Sequence, residues 1–439
     1  MQVYKHSVFV ANFHLYDIID KLVYTTLYFD LIRIKGDTMI EIINSGGLTS
    51  AIGFKAGATY AGLKARTDSL DLGIVISECD ANVAATFTSN SIESPSVSVS
   101  RKRLLNRKAR AVIVNSGCAN CSVGNQGYTD AEEMTMLAAS HLNINSQEIF
   151  VASTGMIGVE LPMALIRQNI GNIKLTDEGG DDFSKSIMTT DTRQKQRAVS
   201  FIHDGKTVTM GAAAKGVGMI HPNMATMLCF VTTDANVEQG FLQETLSETV
   251  NASFNMIDVD GDQSTNDMVI VLANGKSDST QIKKDSASAS VFMEALNYVC
   301  TELAKELVRD GEGAQRLIEV TVEGAKTLPE ARVAAREIAS SLLVKAMVHG
   351  KDPNWGRIVM ALGKSEIELK ESELDIFINN IHIVHNGTAI PYLNDAVVSA
   401  MSGDTVNFKV SLNMGDYSAI GWGCDLTEEY VIFNSAYST

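Results

Sequence analysis

The segment KGVGMIHPNMAT, Lys215 to Thr226, constrains this chain more than any other, because it sets a threonine directly ahead of the apolar run MLCFVTT. Two readings of Thr226 follow. In one, it is the first residue of a buried strand. In the other, the chain cuts its own Ala225–Thr226 peptide bond. A threonine hydroxyl is a weak nucleophile until a positioned base takes its proton. Scission before Thr226 would free an α-amine, whose reference pKa of about 7.7 to 8.0 suits general-base work near neutral pH. Nucleophile and base would then reside on one residue. The cut needs only attack of the Thr226 hydroxyl on the Ala225 carbonyl, followed by hydrolysis of the ester. Ala225 adds little bulk, and His221 and Pro222 can tighten the approach.

Composition bounds what such a site can serve. With 439 residues, 45% hydrophobic and 20% charged, the chain is long enough for a large core and more than one domain. A formal charge of −16 and a pI near 5.0 lack the basic stripe that phosphate backbones require, so nucleic acid is not an expected partner. Small-molecule substrates remain compatible. An acidic substrate would need local cations such as Lys215, or exposed backbone amides. The 6 cysteines are too sparse for a disulfide scaffold and read as reduced thiols of a cytoplasmic protein. Cys118-Ala119-Asn120-Cys121 forms a CxxC, but with neither a second ligand pair nor a thioredoxin-like context it reads as a turn of small residues.

Residues 1–38 form an extension with no assigned role. Asp17, Asp20 and Lys21 break its apolar runs short of the ~18 residues of a membrane span, and the segment fits neither a secretory signal nor a mitochondrial presequence. No membrane association is expected. From Gly46 onward, short apolar runs alternate with helical periodicity. Strands are expected at 73–79, 84–88, 111–116 and 149–153, and again at MLCFVTT. Thr129 to Glu132 reads as a capping box opening a helix with Met134, Leu137 and Ala138 inward. Further helices are expected through Leu242, Leu246 and Val250, through Phe292, Leu296, Val299, Leu303 and Leu307, and from about Glu330 to Val348, stopped by Gly350. DIFINNIHIV followed by Asn386-Gly387 reads as a strand and a tight turn. The two sides of position 226 therefore share one core. A boundary near 335 divides a catalytic core at 39–335 from a smaller, strand-rich C-terminal domain at 336–439.

Several lookalikes fail on spacing. Gly275-Lys276-Ser277 and Gly363-Lys364-Ser365 lack the earlier glycine of a phosphate loop, where Ile270 and Ile358 stand. Asp258, Asp260 and Asp262 begin like a calcium loop, but Gln263 and Val269 occupy the positions of its glycine and bidentate glutamate, so a structural acidic turn is expected. Gly216-Val217-Gly218 lacks the third glycine of a dinucleotide fingerprint. His349, beside a helix-ending glycine, and Trp355, in a Pro-Asn-Trp-Gly corner, read as structural.

Other motifs line up in order: Ser153-Thr154-Gly155, Thr189-Thr190-Asp191, Asp260-Gly261-Asp262, Ser264-Thr265-Asn266-Asp267, Asp310 to Ala314 and Asp352 to Arg357. Together with residues 215–228 they resemble the ornithine acetyltransferase family, also called bifunctional glutamate N-acetyltransferase, whose members cut themselves before the threonine of this segment. The resemblance runs from about residue 45 to the end. It departs at Asn115-Ser116-Gly117-Cys118-Ala119-Asn120-Cys121-Ser122, where the family usually has N-S-G-N-A-N-A-C, so hydrogen bonds in that turn must differ.

The resemblance implies an α/β protein of the α+β type, with a layered αββα-like sandwich shared by both fragments and a C-terminal tail returning to the active site. It implies acetyl transfer from N2-acetylornithine to L-glutamate in cyclic arginine biosynthesis, with acetyl-coenzyme A as a further candidate donor. Thr226 would be the nucleophile, Thr154 and Gly155 would hold the oxyanion, and Thr189, Lys215, Glu312, Asn434 and Thr439 would bind substrate. Neither metal nor cofactor is expected, and two copies of each fragment would assemble as a heterotetramer. The alternatives are a related self-cleaving amidohydrolase or aminopeptidase that uses water as acceptor, and an uncut amino-acid-binding protein.

Overall fold

The computed structural model describes residues 31–33, 39–64, 69–221 and 227–436. Its strands are β1 (Leu31–Arg33), β2 (Met39–Ile42), β3 (Phe54–Thr59), β4 (Leu72–Phe87), β5 (Lys108–Cys118), β6 (Ile149–Met156), β7 (Lys195–His203), β8 (Lys206–Lys215), β9 (Leu228–Thr233), β10 (Ile257–Asp258), β11 (Met268–Ala273), β12 (Leu317–Ala325), β13 (Asp375–Ile378), β14 (Ile381–His385), β15 (Thr388–Ala389), β16 (Thr405–Ser411) and β17 (Tyr417–Cys424). The helices are α1 (Pro95–Leu104), α2 (Gln126–Leu142), α3 (Met163–Asn169), α4 (Gly180–Ile187), α5 (Gln239–Ala252), α6 (Ala289–Arg309), α7 (Leu328–Ser340), α8 (Leu342–Gly350), α9 (Gly356–Gly363), α10 (Asn394–Ala400) and α11 (Glu428–Ala436). None of the described helices is long and apolar enough to cross a membrane.

The strands form two sheets, so the mixed α/β class expected from the sequence is the one observed. The larger has the order β1-β2-β7-β8-β9-β11-β4-β5-β6, with β3 also on β4. The smaller has the order β10-β17-β12-β16-β13-β14-β15. Strand β9 lies antiparallel to β8, with Lys215 opposite Leu228, and parallel to β11. Two strands that follow position 226 are thus enclosed by β8 and β4, which precede it. A continuous apolar core runs from one face of the larger sheet through α5 and α6 to the smaller sheet, and the opposite face packs against Phe183 and Ile187 of α4. The stripe Phe292, Leu296, Val299, Leu303 and Leu307 of α6 is fully buried, as its periodicity predicts. Position 335 lies inside α7, which packs on β12 and β17 of the smaller sheet. A Cβ on Gly423 would stand 2.6 Å from the Ala339 carbonyl oxygen, so glycine lets that helix approach its sheet.

Four local expectations differ from what forms. The strands expected at 73–79 and 84–88 are one strand, β4, whose N-terminal half pairs with β3 and whose C-terminal half pairs with β11. Its ladder with β5 lapses between Ile76 and Ala81, and there Arg110 donates to the carbonyls of Ser77 and Glu78 at 3.0 and 3.2 Å. Helix α2 begins at Gln126, a turn before Thr129. Gln126 donates to the Asp130 carboxylate at 2.8 Å, and the helix runs through the buried Gly127 between the two positions. The helix expected over 330–348 breaks at Ser341, whose ψ of 118° is extended and whose hydroxyl caps the Val344 N–H. DIFINNIHIV is a hairpin, turning at Asn379 and Asn380 with φ of 44° and 67°. Asparagine tolerates that left-handed backbone, which two-residue hairpins require. The turn at Asn386-Gly387 stands where expected, joining β14 to β15.

Phe292 is wholly buried and its ring lies 6.1 Å from that of Phe241. Phe292→Ala is expected to lower stability by about 3–5 kcal/mol, read by urea denaturation.

Candidate active site

The parallel pair β5 and β6 ends on two facing glycines, Gly117 and Gly155, both at positive φ. A Cβ on Gly155, whose φ is 128°, would stand 2.3 Å from the Gly117 carbonyl carbon, so only glycine closes this pair. The turn at Cys118–Cys121 packs beside it. Asn266 donates to the carbonyls of Ala119 and Ser153 at 2.6 and 2.8 Å, tying turn and strand together next to Thr154. Asn115 donates to the Cys118 carbonyl and Asn120 to that of Gly127, supplying the turn's own hydrogen bonds. Both cysteines are buried free thiols, and burial, then the charge of Asp71, push the Cys118 thiol up.

Against this end of the sheet comes the end of β8. The Lys215 Nζ donates to Thr154 Oγ1 at 3.1 Å in a buried setting. Lys215 is one of three buried lysines among the described residues. Another, Lys195, opens β7 opposite Ala214 and binds Asp191 at 2.7 Å and Asp310 at 2.6 Å, all three buried. Asp191 also accepts from the N–H groups of Thr189 and Gly216, at 3.0 and 2.9 Å. It therefore orders both the Thr189-Thr190 turn and the chain leaving β8. Burial opposes ionisation of Asp191, yet Lys195 and Lys215 outweigh it and hold the carboxyl below its ordinary range. For Lys215 burial prevails over Asp191, Asp267 and Glu312 and pulls the ammonium below its usual range.

Glu312 completes the wall. Its N–H donates to the Val217 carbonyl at 2.9 Å, while its carboxylate accepts from Thr190 Oγ1 and from Asn434 Nδ2, each at 2.8 Å. The Asn434 contact brings α11 back to the site. A cleft of about 90 Å3 is lined by Thr154, Gly155, Thr189, Lys215, Glu312 and Asn434, together with Thr190 and Val217–Met219. Six of the residues expected from the sequence thus meet in one place. Ala225, Thr226 and Thr439, also expected there, lie outside the described residues.

Carboxylates hold the chain on both sides of positions 222–226. Asp260 accepts from the N–H groups of Met219 and Ile220 at 2.6 and 2.9 Å, and Asp258 holds His221 Nδ1 at 2.8 Å and Lys345 Nζ at 3.0 Å. The acidic turn is structural, as its spacing suggests. On the far side, Asp267 accepts from the Met227 N–H at 2.9 Å. Burial pushes the Asp267 carboxyl well above its usual range, although the Met227 N–H and Lys215 pull the other way. His349 faces Asp425 and Glu428, and Trp355 packs on the core, away from the cleft lining. Sequence reasoning did not single out Lys195, Asp191 or Asp310 as site residues. The last two lie in quoted motifs, whereas Lys195 carries no local signal.

The ArgJ family model matches residues 55–439. The arginine biosynthesis bifunctional protein ArgJ of Oceanobacillus iheyensis is 45% identical over 401 residues, covering 91% of this chain and 98% of its own length. Its counterpart in Dehalococcoides mccartyi is 44% identical over 401 residues, covering 91% of this chain and 99% of its own. A crystal structure of the arginine biosynthesis bifunctional protein ArgJ from Bacillus halodurans superposes with a TM-score of 0.47 at 42% identity, over 47% of this chain and 98% of that chain.

Two outcomes test this charge arrangement. Lys195→Met leaves Asp191 and Asp310 without their shared cation, and a stability loss of about 3–5 kcal/mol is expected by chemical denaturation. For Asp267 the folded pKa lies above the unfolded one, so the folded state binds more protons and its stability falls as pH rises above about 4. Asp267→Asn keeps an acceptor for Met227 and cannot ionise. Melting curves should place this variant above the parent at pH 8, with the gap closing towards pH 4.

Proposed function

The chain belongs to the ArgJ family, and from that premise we propose that it carries acetyl from N2-acetylornithine to L-glutamate on Thr226, after cutting itself at Ala225–Thr226. It is an acyltransferase of arginine biosynthesis. The observation that carries the site assignment is the single cleft joining Thr154, Gly155, Thr189, Lys215, Glu312 and Asn434 at the strand ends beside Met227, the residue after Thr226.

The chemistry assigns each group a task. Thr226 Oγ attacks the acetyl carbonyl carbon, and the Thr226 α-amine takes the hydroxyl proton. The oxyanion is held by Thr154 and Gly155. Because Lys215 donates to Thr154 Oγ1, the threonine's own O–H is left to donate to that oxygen. Collapse breaks the amide C–N bond, and ornithine leaves with the proton. The amine of glutamate then attacks the ester, Thr226 Oγ leaves and is reprotonated, and N-acetylglutamate departs. Glu312 complements the amino-acid ammonium, while Lys215 and Thr189 receive the substrate, with Thr439 closing the site from the tail. A thioester offers the same electrophilic carbonyl, so acetyl-coenzyme A is included as a donor. Nucleophile, base and oxyanion donors are all protein groups, so the proposal calls for no metal or cofactor.

The ladders of the described residues lie on either side of the bond between 225 and 226. Strands β9 and β11 stay enclosed by β8 and β4, and the apolar cores draw on both sides of the cut, so the fragments remain joined. Two copies of each fragment, as a heterotetramer in the cytoplasm, complete the proposal. The free state of all six cysteines supports that compartment.

Thr226→Ala is expected to run as one uncut chain without acetyl transfer. The parent should give two bands, the second beginning at Thr226 by N-terminal sequencing, and should form N-acetylglutamate from acetylornithine and glutamate. An intact parent chain with full activity would overturn the mechanism, and acetate release without any glutamate product would reassign the acceptor to water.

A further inference from the structure

The hairpin β13–β14 carries Asp375, His382 and His385 on the smaller sheet, none of them among the residues that line the cleft. Residues alternate faces along a regular strand, so histidines three apart should point to opposite sides. They do not here. Ile376 pairs with Val384 while Phe377 pairs with His382, which leaves Ile383 as an extra residue on β14. Ile383 and Val384 are consecutively buried, and this bulge returns His385 to the outer side with His382. Ile376 and Ile378 point inward, placing Asp375 and Phe377 outward with the imidazoles.

The donor atoms of the three residues all lie within 4.8 Å of one another. His385 Nδ1 is 2.9 Å from Asp375 Oδ1, and His382 Nε2 is 3.7 Å from the same oxygen. His382 Nε2 is buried and has no hydrogen-bond partner among the described residues. His382 Nε2 thus turns towards the donor atoms of Asp375 and His385 without a hydrogen bond of its own. The supporting shell is in place. Phe377 stacks on the His382 ring at 4.2 Å and 12°, fixing its plane. Asn413 Nδ2 donates to Asp375 Oδ2, and the Asn386 N–H donates to Oδ1, each at 3.1 Å, orienting the carboxylate. Asn386 Nδ2 also meets His385 Nε2 at 3.2 Å. Metal-binding carboxylates are ordinarily steered by outer hydrogen bonds of this kind.

We propose that Asp375, His382 and His385 bind one divalent transition-metal ion of the zinc class, with a solvent-facing position left for water. Two imidazoles and a carboxylate are donors that such ions accept, and three protein ligands leave a tetrahedral ion one open position. Binding replaces the proton between His385 Nδ1 and Asp375, which is released to solvent. The site is independent of acetyl transfer and clips β13 to β14.

Untagged protein, stripped with chelator and dialysed against zinc sulfate alone, should retain one zinc per chain by elemental mass spectrometry. His382→Ala and His385→Ala should lose it. Asn413→Ala should weaken binding about 10- to 100-fold, a loss that chance surface histidines would not share. Cobalt in place of zinc should give the visible absorption of a four-coordinate ion, absent in both histidine variants. Melting of the zinc-free variants like the zinc-free parent separates lost ligands from lost fold. Failure of the parent to retain zinc at micromolar concentration, or equal retention by His382→Ala, overturns the site.

Discussion

Strand β9 is gripped from both sides, antiparallel to β8 and parallel to β11, and the rest of the molecule depends on that grip. The register opposite β8 sets Leu228 beside Lys215, so the chain on either side of positions 222–226 converges on one end of the larger sheet. The Gly117–Gly155 end of β5 and β6 meets it through the contact of Lys215 with Thr154. Were β9 displaced by one residue, its side chains would exchange faces and Phe230 would leave its contact with Phe183. The sheet therefore specifies both the core and the place where a nucleophile at 226 would act, and it keeps the parts joined without needing the bond between them.

Charge supplies the second level of order. The larger sheet ends among buried acids and lysines that balance locally, Lys195 against Asp191 and Asp310, and Lys215 among Asp191, Asp267 and Glu312. Burying ions is costly unless each is paired and hydrogen-bonded. Here the aspartates also accept backbone N–H groups, which turns the cost into position: Asp191 sets Thr189 and Gly216, Asp310 sets Thr192, Asp260 sets Met219 and Ile220, and Asp267 sets Met227. An acidic chain of charge −16 thus presents an internal cation where an acidic amino acid would dock.

Much of this could be read from residue order, where the signal is local. The stripe on α6, the apolar run of β9 and the Asn386-Gly387 turn all declare themselves within one element. The quoted motifs hold five of the six expected residues that the fold brings to one cleft, and Asn434 followed from the resemblance alone. What stayed hidden depended on distant partners. Residues 80–83 look like a break until β3 and β11 share β4 and Arg110 satisfies the carbonyls of Ser77 and Glu78. Lys195 is an ordinary strand lysine until Asp310 arrives from the end of α6. The cluster of Asp375, His382 and His385 exists only because a bulge at Ile383 undoes strand alternation, which no count of spacing reveals. Ser341 ends a helix that periodicity would continue, because its hydroxyl offers the next helix a cap.

The account stands or falls on an acetyl ester at Thr226. Protein incubated with acetylornithine in the absence of glutamate, quenched in acid and digested, should yield an acetylated peptide whose first residue is Thr226, and addition of glutamate before the quench should discharge it. Acetyl on any other residue, or steady turnover with Thr226 never acetylated, would contradict the account.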